Sequence, residues 1–157
     1  DVVRWDGGAL WTPLNAPDGA GRMVASGGVL YVTKSGSRRM HAFKDGTWTE
    51  VLAEADNEGY EVGYLAADGT GGVFASGLRL NAFEGPGRHF ARYDGTAWHV
   101  IQHDSSSGSE PAFSDVMRIV NSLSYGTYDG LRAMVWDAEY GRLFVVLAGR
   151  ISCEVQD

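Results

Sequence analysis

The side chains of this chain that could do chemistry gather between its apolar runs, in two groups of opposite sign. Arg38, Arg39, Arg79, Arg88 and Arg150 fall in one set of connections. Asp18, Glu54, Asp56, Glu58, Glu61, Asp104 and Glu110 fall in the other. Converging guanidinium forks can grip a carboxylate through two parallel hydrogen bonds, so an acidic ligand is the chemistry the first set suggests. The competing expectation is that these are solvated loop charges pairing loosely with one another. Asp56 with Glu61, or Asp104 with Glu110, could serve as the acid and base of glycoside hydrolysis, which needs a separation of roughly 5–9 Å. Loops this acidic supply such pairs without any catalytic purpose. His99 and His103 stand four apart, a spacing that aligns ligands on a helix but not on a strand of period two. Asp56-Asn57-Glu58-Gly59 hints at calcium, yet lacks the alternating oxygen ligands of an EF-hand loop and reads as a turn. Cys153, the single cysteine, reads as a small apolar residue on a strand. The chain contains no Gly-x-Ser-x-Gly elbow, P-loop or Gly-x-Gly-x-x-Gly. No catalytic residue, metal ligand or cofactor is assigned. The ligand-binding candidates are Arg38, Arg39, Tyr60, Arg79, Asn81, Arg88, His103, Asp104, Tyr125 and Tyr128, the non-repeating aromatics among them being suited to stacking on a sugar or anchoring a protein contact.

These residues are positioned by elements that recur. Residues 2–14 (VVRWDGGALWTPL), 41–52 (HAFKDGTWTEVL) and 90–101 (FARYDGTAWHVI) each carry Asp-Gly and then Trp between apolar runs, and 151–157 (ISCEVQD) begins a further copy. Asp-Gly between β-rich runs is a hairpin signal, because Gly accepts the positive φ that tight turns demand. A second hairpin signal alternates with the first, at 22–33 (RMVASGGVLYVT), 62–76 (VGYLAADGTGGVFAS) and 131–147 (LRAMVWDAEYGRLFVVL). One hairpin of each kind makes a unit of four antiparallel strands, A to D, repeated every ~40–60 residues. Trp11, Trp48 and Trp98, with Tyr31, Phe74 and Phe144, recur regularly enough to be packing between units.

On Leu30-Tyr31-Val32, Arg4-Trp5-Asp6-Gly7 and Arg92-Tyr93-Asp94-Gly95-Thr96-Ala97-Trp98, the chain resembles bacterial and phage β-propeller repeat proteins, of kelch-like or Asp-Gly-x-x-Trp type. The resemblance implies an all-β fold of four-stranded antiparallel blades, about three in this chain, within one domain spanning 1–157. The expected parts are a partial blade at 1–14, blades at 22–52 and 62–101, an inter-blade insertion at 102–130 and a partial blade at 131–157. In such a fold the D-to-A connections (15–21, 53–61, 102–130) and the B-to-C connections (35–39, 78–88, 149–150) share one face, where ligands bind. The insertion opens with the polar tract HDSSSGSEP, and 114–123 (SDVMRIVNSL) has helical spacing behind a Ser cap.

The rest of the sequence bounds the function class. A chain of 157 residues supports one core, and 22 glycines with few prolines suit short strands and tight turns. A net charge of -7 disfavours nucleic acid and anionic membrane surfaces as partners. The chain does not begin with Met, which points to a processed product or an excised piece. Compartment stays open, with a secreted, virion or cell-surface setting favoured. About three blades fall short of the 4–8 that close a ring, and open edges invite pairing. The expectation is therefore a non-enzymatic binding and assembly module that associates with itself or another protein. The alternative is a carbohydrate-active propeller, a lectin or a glycosidase- or sialidase-like piece, with a glycan as partner.

Overall fold

A computed structural model of the chain describes residues 2–17, 20–34, 36–58, 61–81, 89–101, 131–137, 139 and 142–147. Every regular element there is a β-strand, apart from a single 3-10 turn at Glu54–Asp56. Among the described residues the fold is all-β, and every strand pair is antiparallel. The expected helix at 114–123 lies outside the described residues.

The strands are β1 (Val3–Trp5), β2 (Trp11–Pro13), β3 (Ala20–Ser26), β4 (Val29–Lys34), β5 (Met40–Lys44), β6 (Thr47–Leu52), β7 (Leu65–Ala67), β8 (Val73–Leu78), β9 (His89–Tyr93), β10 (Trp98–Val100), β11 (Leu131–Asp137) and β12 (Arg142–Leu147). They form four separate sheets: β3-β4-β5-β6 and β7-β8-β9-β10, each a meander in chain order, flanked by the two-stranded sheets β1-β2 and β11-β12. Among the described residues no sheet closes on itself. The sheets are arranged in sequence, with β3 lying against β7 and β7 against β11, so that the first strands of successive sheets are neighbours.

Turn chemistry explains where the hairpins fold. Lys44 pairs with Thr47, leaving Asp45 (φ 50°) and Gly46 (φ 81°) as a two-residue turn with both residues left-handed. That is the type I′ geometry whose twist matches the strands it joins. In β9–β10 the Asp-Gly turn is longer: Tyr93 pairs with Trp98, and Asp94 Oδ1 accepts from the amides of Thr96 and Ala97 at 2.8 and 2.9 Å. The first copy is wider still, with Asp6 N donating to the Leu10 carbonyl at 3.0 Å. The unequal Asp-to-Trp spacings in the sequence are three different loops on one hairpin. Across each hairpin an aromatic pair stands in register, Trp5 with Trp11, Phe43 with Trp48 and Tyr93 with Trp98. The exception to turn economy is Gly27 (φ +53°), where an added Cβ would lie 2.6 Å from the Gly71 amide nitrogen.

The core lies between the two four-stranded sheets. Tyr31, Met40 and Leu52 of the first meet Val62, Val73, Ala75, Leu78 and Ala91 of the second region. The inner strands β4 and β8 are the most buried, β8 along its whole length, because sheet faces packed on both sides exclude water from alternate and intervening residues alike.

Candidate functional site

Four of the candidate residues lie in the described structure, and it brings them to one place. Arg38, Arg39, Arg79 and Asn81 surround the connection at 53–58 that joins the two large sheets. Tyr60, Arg88, His103, Asp104, Tyr125 and Tyr128 lie outside the described residues.

A fully buried Asn57 organises this place. Its Oδ1 accepts from the Arg79 amide at 2.9 Å, and its Nδ2 donates to the Arg38 carbonyl at 3.3 Å. The Glu58 amide returns to the Arg79 carbonyl at 2.9 Å, and Asn57 forms a β-bridge with Leu80. Asn81 adds a second clasp, its Nδ2 donating to the Ala55 carbonyl at 2.7 Å and its amide to Asp56 at 3.1 Å. One connection is thus held to the β4–β5 connection and to the chain leaving β8. The sequence reads 56–59 as a turn; within it the Asn57 side chain is spent on the backbone of two other segments, and Gly59 lies outside the described residues.

Charge of both signs sits on this bracket. Arg38 Nε lies 3.5 Å from Glu54 Oε1, Arg39 Nε 3.5 Å from Glu54 Oε2, and Arg39 Nη1 3.7 Å from Glu50. Arg79 reaches Glu58 at 4.0 Å. These distances describe loose, solvated pairs. The guanidinium groups are paired with the chain's own carboxylates. His41 stands behind them, 3.9 Å from Glu50, and its burial pushes its pKa below the ordinary imidazole value against the pull of that carboxylate. Glu54 and Glu58 belong to the acidic set that the sequence expected to pair loosely with these arginines, whereas Glu50 and the Asn57 clasp were not singled out. Only strand register reveals that His41 faces Glu50 across β5–β6.

On the opposite ends of the strands, the turns of the two large sheets interlock around Asp68. This carboxylate is buried; burial opposes its charge, yet the amides of Thr70 and Gly72, each donating to Oδ1 at 2.8 Å, and Arg92 against Oδ2 at 2.6 Å hold it well below the usual carboxylate range. Ser26 Oγ of the neighbouring sheet donates to Asp68 Oδ1 at 3.1 Å and accepts from Gly69 at 3.2 Å. Tyr31 Oη donates to the Gly71 carbonyl at 2.6 Å. Beside this lock a cleft of about 340 Å3 opens between the sheets, lined by Tyr31, Lys44, Thr47, Thr49, Thr70 and Tyr93 among others. Asp6 and Asp94 share the shift of Asp68: hydrogen bonds from Thr12 and Arg4, and from Ala97, Thr96 and His99, stabilise their ionised forms. All three carboxyls are driven away from the protonated state that a general acid requires.

The aromatic copies make a third arrangement. Trp98 Nε1 donates to the Val51 carbonyl at 2.8 Å, and Trp48 Nε1 to the Leu14 carbonyl at 2.7 Å. Each indole therefore reaches the last hairpin strand of the sheet before its own or the residue just past it, Val51 in β6 and Leu14 after β2, in both cases three beyond the preceding Trp. Trp11, the first copy, is 59% exposed, and Val3, Trp5 and Leu10 of the same sheet are 50–62% exposed. No protein-family model, curated protein or solved structure matches this chain.

Proposed function

We propose that this chain is a non-enzymatic binding and assembly module, built as a β-propeller-type array of four-stranded sheets. The observation that carries it is the repeated indole link, Trp48 to Leu14 and Trp98 to Val51. An array in which two successive sheets grip their predecessors by the same bond is extended by adding sheets, and its function resides in what the ends and loops present. Neighbouring first strands β3, β7 and β11 support the same architecture, since blades converge on one axis through their first strands. The exposed apolar sheet β1–β2 supports assembly, because contiguous large apolar side chains in water mark a contact surface. The loop face carrying Arg38, Arg39, Arg79 and Asn81 is the second interaction surface, where loose ion pairs exchange readily for a partner's charges at little cost.

The test is the absolute mass of the chain by light scattering behind a sizing column, across a range of concentrations. A discrete multiple of the 16.9 kDa chain is expected. A species of one chain mass at every concentration would remove assembly from the reading.

A further inference from the structure

Asp-Gly is a dipeptide whose backbone can rewrite itself, because a glycine amide is unhindered enough to attack the side-chain carboxyl of the Asp before it. Three copies share one local sequence: Asp45-Gly46-Thr47, Asp68-Gly69-Thr70 and Asp94-Gly95-Thr96. Whatever separates their reactivity must therefore come from the fold.

The fold occupies two of them. Asp68 Oδ1 accepts from the amides of Thr70 and Gly72 at 2.8 Å each, and Arg92 Nη2 stands 2.6 Å from Oδ2. The Gly69 amide, which would be the attacking group, donates to Ser26 Oγ at 3.2 Å. Asp94 Oδ1 accepts from the Thr96 hydroxyl and from the amides of Thr96 and Ala97 at 2.7–2.9 Å, with His99 Nε2 2.7 Å from Oδ2. These bonds hold both groups ionised, and a carboxylate is a poor electrophile. Asp45 differs on each count. Among the described residues its carboxyl accepts no hydrogen bond, the Gly46 amide donates none, and both residues are exposed.

The backbone of Asp45 is also set for the reaction. Of the three Asp residues only Asp45 has a positive φ, 50°. Closing a five-membered imide requires the Asp Cβ and the next nitrogen to eclipse across the Cα–C′ bond, which for an L residue falls near ψ of about −120°. A type II′ turn places its first central residue at about φ +60°, ψ −120°. That turn is reached from the type I′ turn seen here by flipping one peptide plane, between Asp45 and Gly46, while Lys44 stays paired with Thr47. Asp68 and Asp94, outside the positive-φ region, would have to leave their turns to reach it.

We propose that Asp45-Gly46 is a self-modification site, at which the Gly46 nitrogen closes on Asp45 Cγ and reopening of the ring leaves an isoaspartyl link between β5 and β6. In the first step the N–Cγ bond forms, and the carboxyl hydroxyl leaves with the amide proton as one water. In the second step one water adds to the imide. Addition at Cγ restores Asp, whereas addition at the backbone carbonyl leaves the chain running through Cβ. No oxidant or other reactant is consumed, and the parent mass is restored. The isoaspartyl form carries an extra main-chain atom in a two-residue turn, just ahead of β6, whose Trp48 Nε1 holds the Leu14 carbonyl at 2.7 Å.

The experiment ages the intact 157-residue chain in mildly acidic water labelled with heavy oxygen and compares the peptides bearing the three Asp-Gly-Thr copies by mass spectrometry. Each passage through the imide leaves one heavy oxygen, whichever way the ring reopens, and electron-transfer fragmentation distinguishes isoaspartyl from aspartyl links. Label and isoaspartate should accumulate at Asp45 at least about tenfold faster than at Asp68 or Asp94, the factor that one hydrogen bond on the carboxyl is worth. In denaturant the three rates should converge, since the local sequences match. Asp45→Glu keeps the charge but sets the carboxyl one carbon too far for a five-membered ring, and should carry no label at that position. Equal labelling of the three copies in the folded chain, faster labelling at Asp68 or Asp94, or no label at Asp45 would each overturn the proposal. So would a lead for Asp45 that persists in denaturant, because flanking sequence and not the turn would then set it. Label persisting in Asp45→Glu would overturn it as well, as simple oxygen exchange.

Discussion

Asn57 and Asp68 show how single polar side chains decide where connections go. Both are buried: Asn57 spends its hydrogen-bonding capacity on backbone groups of two other segments, and Asp68 accepts from the amides of its own turn and from the Ser26 and Arg92 side chains of other strands. Asn57→Ala strands the Arg79 amide and the Arg38 carbonyl away from water, and the expected loss is about 2–3 kcal/mol in denaturant titration. Arg39→Ala, which removes only exposed pairs at 3.5 and 3.7 Å, should stay within about 0.5 kcal/mol of the parent. Acid should unfold the chain in two stages. His41 binds its proton less readily in the fold than when unfolded, so its contribution is intact above about pH 6.5 and declines as pH falls below that value. Asp68 is likewise shifted down, so the unfolded chain takes up its proton first and a second, larger loss sets in below about pH 4. Thermal melts across pH 3–8 should show both stages, and His41→Gln should erase the earlier one alone. The arginine-rich loops were legible in the sequence as charge. Loose pairing with the acidic set that holds Glu54 was legible too, but the pairing with Glu50 of β6 was not, because it depends on which strands become neighbours.

At the scale of elements, the hairpins were written locally and their contacts were not. Asp45-Gly46 could be read as a tight turn because only two residues separate the strands and both take left-handed conformations. The Gly27–Gly71 approach has no local signature: it arises where the first turns of two sheets meet. Gly27→Ala adds a methyl to a 2.6 Å gap at positive φ, and should cost about 2–3 kcal/mol while leaving the other hairpins formed. Hydrogen exchange would show the loss concentrated in β3–β4 and β7–β8. The Trp copies were legible as packing residues, yet only the structure separates Trp48 and Trp98, half-buried on the preceding sheet, from the exposed Trp11. Trp98→Ala should destabilise the fold by about 3 kcal/mol and Trp98→Phe by about 1 kcal/mol, the latter reporting the indole hydrogen bond by itself.

For the whole molecule, the sequence alone determined the strand content, the alternation of two hairpin types and the acidic balance. Those are properties of nearest neighbours and of composition: turn residues fix φ over a few positions, and alternating apolar residues fix which face is dry. What only the tertiary structure decided is how the repeats meet. The offset of three residues between each Trp and the carbonyl that the next indole finds, the Asp68 lock between turns and the Asn57 bracket between connections all join residues 19–47 positions apart. Contacts at that distance follow from the angle at which one twisted sheet settles on another, a quantity summed over every strand and stored in no single segment.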